Sequence, residues 1–179
     1  MLTAPPPVPG IGPGIDAAAA AAKGAHVTGI DVSSRMIEVA SHRFAAAGLR
    51  ADLHHGDLFE FNHGGPYDVV VANFLVDCFG APDRQRVVDR CARFLRTGGR
   101  VLMSDTGVPR GSRIARSAWY AYHGAAYATT WIQGITPWLP LLDLDAYLRD
   151  AGFLVDHHVF HRPGRRGPVL FESITGTKV

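Results

Sequence analysis

Three glycines near the start of the chain, and one aspartate after them, have the spacing that most clearly indicates chemistry. Gly10, Gly12 and Gly14 alternate with other residues just before an alanine-rich segment. Glycine lets the backbone approach a ligand closely, and the first turn of a helix presents unpaired N–H groups. Asp31 ends the next strand-like segment, where a carboxylate can accept both hydroxyls of a ribose. These residues predict a site for an adenosine-containing cofactor without saying which one.

The glycine segment is compatible with more than one interpretation. Residues 12–17 match the G-x-G-x-x-A pattern of dinucleotide-binding proteins, and residues 10–14 match G-x-G-x-G. A tight turn before a helix, without any ligand, is a third interpretation. The glycines alone are therefore weak evidence, and the rest of the chain has to decide.

Helix-like and strand-like segments alternate along the chain, which favours an α/β layered domain with a mainly parallel sheet. The predicted helices cover residues 15–23, a segment capped by Ser33 and ended by Gly48, a segment capped by Asp83 and ended by Gly98 and Gly99, and residues 143–151. The predicted strands cover residues 25–31, 50–55, 67–72, 100–104, 154–161 and 169–175. The last two strands flank a Pro/Gly-rich turn and are expected to pair antiparallel.

Further markers follow the glycines in a fixed order. Gly56 and Asp57 close the third strand, Tyr67 and Asp68 open the fourth, Asn73 ends it, and residues 95–102 join a helix to the fifth strand. From about Pro9 to the C-terminus, this series resembles the class I S-adenosylmethionine-dependent methyltransferases of the small-molecule type. The resemblance implies a Rossmann-like three-layer α/β sandwich with a mostly parallel sheet and an antiparallel C-terminal strand. It also implies one domain over residues 1–179, with a proline-rich start at 1–9 and a helical insertion over the active site at 110–138.

The resemblance implies S-adenosylmethionine as the cofactor and gives several residues a role in binding it. Gly10, Gly12 and Gly14 would pass under the methionine part, Asp31 would hold the ribose, Met36 would pack near adenine or ribose, Asp57 and Leu58 would flank the adenine, and Asn73 would lie beside the methionine part.

The chain departs from the family pattern in two places. Val8 stands two positions before the first glycine, where the family usually carries an acid, so an expected partner for the cofactor's amino group is missing. Only nine residues precede Gly10, and four of them are proline, which cannot donate to a sheet ladder. Two alternatives stay open: the chain is a truncated form, short at the N-terminus, or it lacks a proper first strand.

The acceptor is expected at the ends of the fourth and fifth strands and under the insertion. Methyl transfer is a direct displacement in which the protein mainly aligns the reactants, so no obligatory catalytic motif exists. The candidate substrate-binding residues are Phe74, Asp77, Tyr120, Tyr122, His123, Trp131 and Trp138. His123 is a weak candidate for a catalytic base. The alternative is that the aromatic side chains and His123 only pack the helix against the sheet.

Composition and patterning are typical of a globular protein of the cytoplasm. The net charge is +2, and the basic residues form no stripe that would suggest nucleic acid. The chain has no apolar run of membrane-spanning length and no signal-peptide pattern. Cys78 and Cys91 are expected to be reduced, buried thiols, and neither the cysteines nor the histidines have metal-ligand spacing. The oligomeric state is not predicted.

The leading prediction is methyl transfer from S-adenosylmethionine to a small-molecule acceptor. One alternative is a non-catalytic, methyltransferase-like binding module, because Val8 and the short N-terminus are real departures. The other is an NAD(P)-binding oxidoreductase. It is less favoured, because neither Lys23 nor Lys178 is placed to form a Tyr-x-x-x-Lys base.

Overall fold

Strands and helices alternate through the part of the chain that the structure describes. The computed structural model describes residues 7–62, 64–107, 112–133, 142–162 and 169–179. The strands are β1 (Pro7–Pro9), β2 (Thr28–Asp31), β3 (Asp52–His55), β4 (Tyr67–Asn73), β5 (Leu95–Asp105), β6 (Phe153–His161) and β7 (Phe171–Lys178). The α-helices are α1 (Ile15–Ala21), α2 (Ser34–Ala46), α3 (Ala81–Phe94), α4 (Arg113–Ile132) and α5 (Leu144–Asp150), and a 3-10 turn covers Val76–Cys78.

The strands form two hydrogen-bonded groups, in the orders β1-β2-β3 and β4-β5-β7-β6. Pairing is parallel within the first group and between β4 and β5, whereas β7 runs antiparallel to both β5 and β6. β1 and β4 are in contact where the two groups meet. This arrangement confirms the predicted α/β class with an antiparallel C-terminal strand. The strand order reverses at β1 and β4, which is where ligands bind in open α/β sheets.

The first strand is present, so the alternative of a missing first strand is wrong. Val8 pairs with Gly29 of β2 in parallel register, and its side chain is buried. Pro7 and Pro9 have no N–H, so β1 cannot donate a full ladder to two neighbours. β1 therefore pairs with β2 and meets β4 by contact alone.

Two apolar clusters lie on opposite faces of β4. Val70 and Ala72 belong to the larger cluster, which includes α3 and α5 residues such as Val87 and Leu148. Val71 packs against the smaller cluster, which contains residues of α1 and α2. Because successive side chains of a strand point to opposite faces, the helices form layers on both sides of the strands. The predicted three-layer arrangement follows from this alternation.

Local signals at helix ends were right in one case and wrong in another. The Ser33 hydroxyl accepts a hydrogen bond from the N–H of Met36 and caps α2, as predicted. Asp83 is not the cap of α3, because that helix begins earlier, after Gly80, with Pro82 in its first turn. Asp83 instead forms an ion pair with Arg86 one turn later.

The remaining element predictions differ mainly in their boundaries. Gly98 and Gly99 do not end α3, since β5 already begins at Leu95. The predicted insertion contains α4, and β6 and β7 form the predicted antiparallel pair. Residues 108–111, 134–141 and 163–168 lie outside the described residues. Among the helices that the structure describes, none is long and apolar enough to cross a membrane.

Candidate cofactor and acceptor site

The predicted cofactor residues lie at one edge of the sheet, where β1, β2 and β4 end. The glycine segment follows β1, Asp31 is the last residue of β2, and Asn73 is the last residue of β4. β1 and β2 are parallel neighbours, and β1 also contacts β4. The carboxyl ends of the three strands therefore meet at the reversal point. The structure therefore brings together the glycine, ribose and methionine positions that the family resemblance implied.

The three glycines adopt backbone conformations that other residues rarely adopt. Gly10, Gly12 and Gly14 have φ angles of 64°, 51° and 72°. A Cβ added at Gly10 would lie 2.8 Å from Leu75 Cδ1, and one at Gly14 would lie 3.0 Å from Ala40 Cβ. Positive φ at all three positions, and close packing at Gly10 and Gly14, favour glycine over other residues.

Asp31 connects the loop after β2 to the glycine loop. Its Oδ2 accepts a hydrogen bond of 2.8 Å from the N–H of Gly12, and its Oδ1 accepts one of 2.9 Å from the N–H of Ser33. Each carboxylate oxygen can accept a second hydrogen bond. Asp31 thus keeps the capacity to receive two ribose hydroxyls, which is the role predicted for it.

Asn73 and Asp16 meet across the reversal point. The Asn73 side-chain amide donates a hydrogen bond of 2.8 Å to Oδ2 of Asp16, which lies in the first turn of α1. The amide oxygen of Asn73 is buried and has no hydrogen-bond partner among the described residues. A buried acceptor without a donor is unusual in a native structure, and a ligand that carries donors would satisfy it. Asp16 was not predicted from the sequence.

The predicted adenine residues have less uniform surroundings. Met36 is half-buried at the start of α2, and Asp57 is exposed, with its Oδ1 accepting a hydrogen bond of 2.8 Å from the N–H of Phe59. Leu58 is buried in the larger apolar cluster. Their contacts with adenine remain predictions.

An aromatic group lies where β4 and β6 end and β7 begins. We name it the aromatic wall, and it consists of Phe74, His161 and Phe171. Phe74 has a φ of 52°, and its side chain is 51% exposed. Its ring meets that of Phe171 at 5.6 Å between centroids, and Phe171 stacks on His161 at 4.3 Å. Phe171 and His161 were missed in the sequence. Their signal was the antiparallel direction of β7, which starts at the edge where β4 and β5 end.

A buried polar group stands beside the wall. The Tyr127 hydroxyl donates a hydrogen bond of 2.7 Å to Oδ2 of Asp77 and lies 2.8 Å from Oγ1 of Thr106. Asp105 accepts hydrogen bonds from the backbone N–H groups of Val76, Asp77 and Thr106. Only Asp77 of the three side chains Asp77, Asp105 and Tyr127 was predicted.

The two acids of this group influence each other. Asp105 is almost completely buried, and Asp77 nearly so. Burial, and after it the negative charge of Asp77, raises the pKa of Asp105 to about 8. Burial also raises the pKa of Tyr127, so its hydroxyl remains a donor to Asp77 at neutral pH. Near neutral pH, Asp105 therefore retains a proton.

His123 is buried in α4 with both ring nitrogens close to backbone oxygens. Nδ1 lies 3.0 Å from the carbonyl oxygen of Trp119, and Nε2 lies 2.8 Å from that of Leu170. The ring also stacks on Trp119 at 4.1 Å. These contacts fit the packing alternative better than the role of a base.

The other predicted aromatic residues of α4 are exposed to different degrees. Tyr120, Tyr122 and Trp131 all have a large part of their side chains exposed. The rings of Tyr120 and Tyr122 contact Trp119 and His123 respectively. Trp138 lies outside the described residues. The roles of these residues toward an acceptor remain predictions.

The cysteines match the expectation only in part. Both are free thiols, but Cys78 is exposed, so the prediction that both are buried is wrong for it. Partial burial, followed by the charge of Asp77, raises the pKa of Cys78 to about 12. The thiol is therefore protonated at neutral pH. Within the described ranges, no group of three or more His, Cys, Asp or Glu residues is placed to hold a metal ion.

Sequence comparison gives a family and several relatives. Residues 9–99 match a family model described as a methyltransferase domain. The ubiquinone biosynthesis O-methyltransferase of Aromatoleum aromaticum is 32% identical over 149 residues, which are 80% of this chain and 61% of that protein. The protein of the same name from Marinobacter nauticus is 29% identical, over 82% of this chain and 62% of its own. The chain thus spans about three-fifths of the length of these relatives.

Solved structures support the same fold. An S-adenosylmethionine-dependent methyltransferase from Methanosarcina mazei superimposes with a TM-score of 0.76 at 19% identity, covering 100% of this chain and 94% of that one. The magnesium protoporphyrin IX methyltransferase of Synechocystis, solved with bound S-adenosylhomocysteine, gives 0.70 at 18% identity over 98% of this chain and 75% of its own. At these identities the likeness shows the fold. Together with the family match, it confirms the resemblance seen in the sequence: the chain belongs to the methyltransferase-domain family and has the class I fold that uses S-adenosylmethionine.

Proposed function

We propose that the chain transfers the methyl group of S-adenosylmethionine to a hydroxyl oxygen of a small aromatic acceptor. The observation that carries this proposal is the position of Phe74 and Asp77. They follow Asn73 directly after β4, so an aromatic surface and a carboxylate stand beside the predicted methionine position. The relatives named ubiquinone biosynthesis O-methyltransferase support oxygen as the accepting atom.

The residues on the cofactor side of the site support this proposal. S-adenosylmethionine supplies an electrophilic methyl group on a sulfonium when it is bound. The backbone of the glycine loop can lie close to the cofactor, and Asp31 has acceptor oxygens for the ribose hydroxyls. Asn73 lies where the methionine part is predicted. The protein's own contribution is then to hold the acceptor oxygen in line with the methyl group and to keep water out.

The aromatic wall is suited to orient a flat acceptor. The N–H of Phe74 donates a hydrogen bond of 2.7 Å to the carbonyl oxygen of Ser104, and the Cys78 thiol donates to the carbonyl oxygen of Phe74. These contacts hold a phenylalanine at positive φ, a conformation that costs about 1–3 kcal/mol and is found most often at functional sites. An acceptor ring packed on Phe74 would gain edge or stacking contacts with the wall.

The buried polar group contains a carboxylate, Asp77, that is suited to accept the proton of the acceptor hydroxyl. Oxygen methylation needs that proton to leave before or during transfer. Asp77 follows Phe74 on the turn after β4, so it is the carboxylate of this group to which we assign the acceptance of that proton. Tyr127 and Thr106 hold Asp77 in place, which makes them positioning residues in this proposal.

The experiment is a methyl-transfer assay with the purified chain, S-adenosylmethionine and two acceptors. Catechol is the aromatic acceptor, and cyclohexanediol is the non-aromatic control. The proposal predicts S-adenosylhomocysteine and a methyl ether from catechol alone. Phe74→Leu should raise KM for catechol several-fold, whereas Tyr147→Leu, which removes a ring from α5, should leave KM unchanged. Equal use of both acceptors, or transfer to catechol that Phe74→Leu does not alter, would contradict an aromatic site.

Several expectations remain predictions within this proposal. The binding-module alternative and the dinucleotide alternative gain no support from the family match. Absence of nucleic-acid binding, a cytoplasmic location and the single-domain organisation over residues 1–179 remain predictions.

A further inference from the structure

The crevice between β1 and β4 contains a carboxylate whose role is unassigned. Asp16 lies two residues after Gly14, in the first turn of α1, and its side chain is exposed. Its Oδ2 accepts a hydrogen bond of 2.8 Å from the amide of Asn73. That bond fixes the direction of the Asp16 side chain, so the negative charge stands at the end of β4.

Asn73 adds an independent observation. The amide nitrogen must face Asp16, because a carboxylate only accepts hydrogen bonds. The amide oxygen is the other terminal atom of the same planar group, and it is buried without a partner among the described residues. A donor from a ligand would remove the cost of leaving that oxygen unpaired.

In the described structure, β1 supplies no charge at this place, and the acid that ends β2 already has partners. Val8 of β1 is apolar and buried. Asp31 of β2 already accepts the N–H groups of Gly12 and Ser33 and is predicted to face the ribose. Asp77, after β4, accepts the Tyr127 hydroxyl. Asp16 is thus the carboxylate of this crevice that Asn73 contacts.

We propose that Asp16, oriented by Asn73, binds the α-ammonium group of the cofactor's methionine part. An ammonium has three donors, so one group can serve both the Asp16 carboxylate and the unpaired oxygen of Asn73. Asp16 then supplies from α1 the negative charge that Val8 does not supply from β1. This inference rests on the S-adenosylmethionine site of the proposed function and adds a residue to it.

The test is calorimetric titration with two ligands that differ in one part. S-adenosylhomocysteine carries the amino-acid end, and methylthioadenosine keeps the adenosine and the sulfur but lacks that end. Asp16→Asn should weaken S-adenosylhomocysteine binding about tenfold, in the range of a charged hydrogen bond, and change methylthioadenosine binding less than about twofold. Asp16→Glu retains the charge and should recover most of the affinity.

Asp150→Asn, which removes an acid at the end of α5, is the matched control and should alter neither affinity. Wild-type affinity for S-adenosylhomocysteine in Asp16→Asn would overturn this inference and leave the proposed function standing. Equal weakening of the binding of both ligands would also overturn this inference, since Asp16 would then affect the whole glycine loop and not the amino-acid end of the cofactor. Failure of the wild-type chain to bind S-adenosylhomocysteine would overturn the cofactor site itself.

Discussion

Tyr127 donates a hydrogen bond of 2.7 Å to Asp77 and thereby joins the middle of α4 to the turn after β4. The same hydroxyl lies 2.8 Å from Oγ1 of Thr106, which follows the end of β5. Three elements that are distant in the sequence therefore meet at one oxygen atom. This contact positions α4 against the turn after β4 and the end of β5.

Replacing Tyr127 with phenylalanine should loosen α4. The substitution leaves the buried Asp77 carboxylate without this donor, which costs about 1–3 kcal/mol. Urea unfolding should show the loss of stability, and amide exchange in α4 should become faster. Tyr122→Phe removes an exposed hydroxyl from the same helix and should have neither effect. If the two variants behave alike, the bond between α4 and Asp77 does not hold the helix.

The contribution of Asp105 to the stability of the chain should fall as pH rises from about 4 to about 8. The pKa of Asp105 is raised to about 8 in the folded chain, whereas an unfolded aspartate titrates near pH 4. Between these values the folded state binds the proton and the unfolded state does not, so each rise in pH disfavours folding. The slope for one proton is at most about 1.4 kcal/mol per pH unit.

Asp105→Asn separates this contribution from other titrations. The stability advantage of the wild-type chain over this variant should shrink from pH 5 to pH 8, because asparagine does not titrate. Denaturant unfolding at several pH values measures both profiles. Parallel profiles over that range would contradict the raised pKa.

Asp31→Ala should weaken the binding of S-adenosylhomocysteine by about 1–3 kcal/mol, since two hydroxyls lose a charged acceptor. Asp31→Ala should also weaken the binding of methylthioadenosine, because that ligand retains the ribose. This effect distinguishes Asp31→Ala from Asp16→Asn. Titration of both ligands measures the effect. An unchanged affinity would remove the ribose assignment.

The sequence was sufficient to predict which residues meet at this edge of the sheet, because its signals are local. Glycines at positive φ, an acid at the end of β2 and an amide at the end of β4 each follow from neighbouring residues. Because proline weakens a hydrogen-bond ladder, the sequence left open whether a first strand forms. The strand β1 does form, since it pairs with β2 and needs no ladder with β4.

The acceptor end could be predicted only in part because its contacts are long-range. Asp77 was found from its position after a strand, whereas Asp105, Tyr127 and Phe171 reach it from other elements. His123 had the residue type of a base, but its contacts with Trp119 and Leu170 are set by how α4 packs. The predicted start of α3 was wrong for a different reason, because Gly80 and Pro82 were a better local start signal than Asp83.

The most direct measurement is calorimetric titration of the 179-residue chain with S-adenosylhomocysteine and, in parallel, with NAD. A methyltransferase site with the described glycine loop, Asp31 and Asn73 should bind S-adenosylhomocysteine with micromolar affinity and should not bind NAD. Binding of NAD instead, or of neither ligand, would contradict the assignment of this crevice to S-adenosylmethionine.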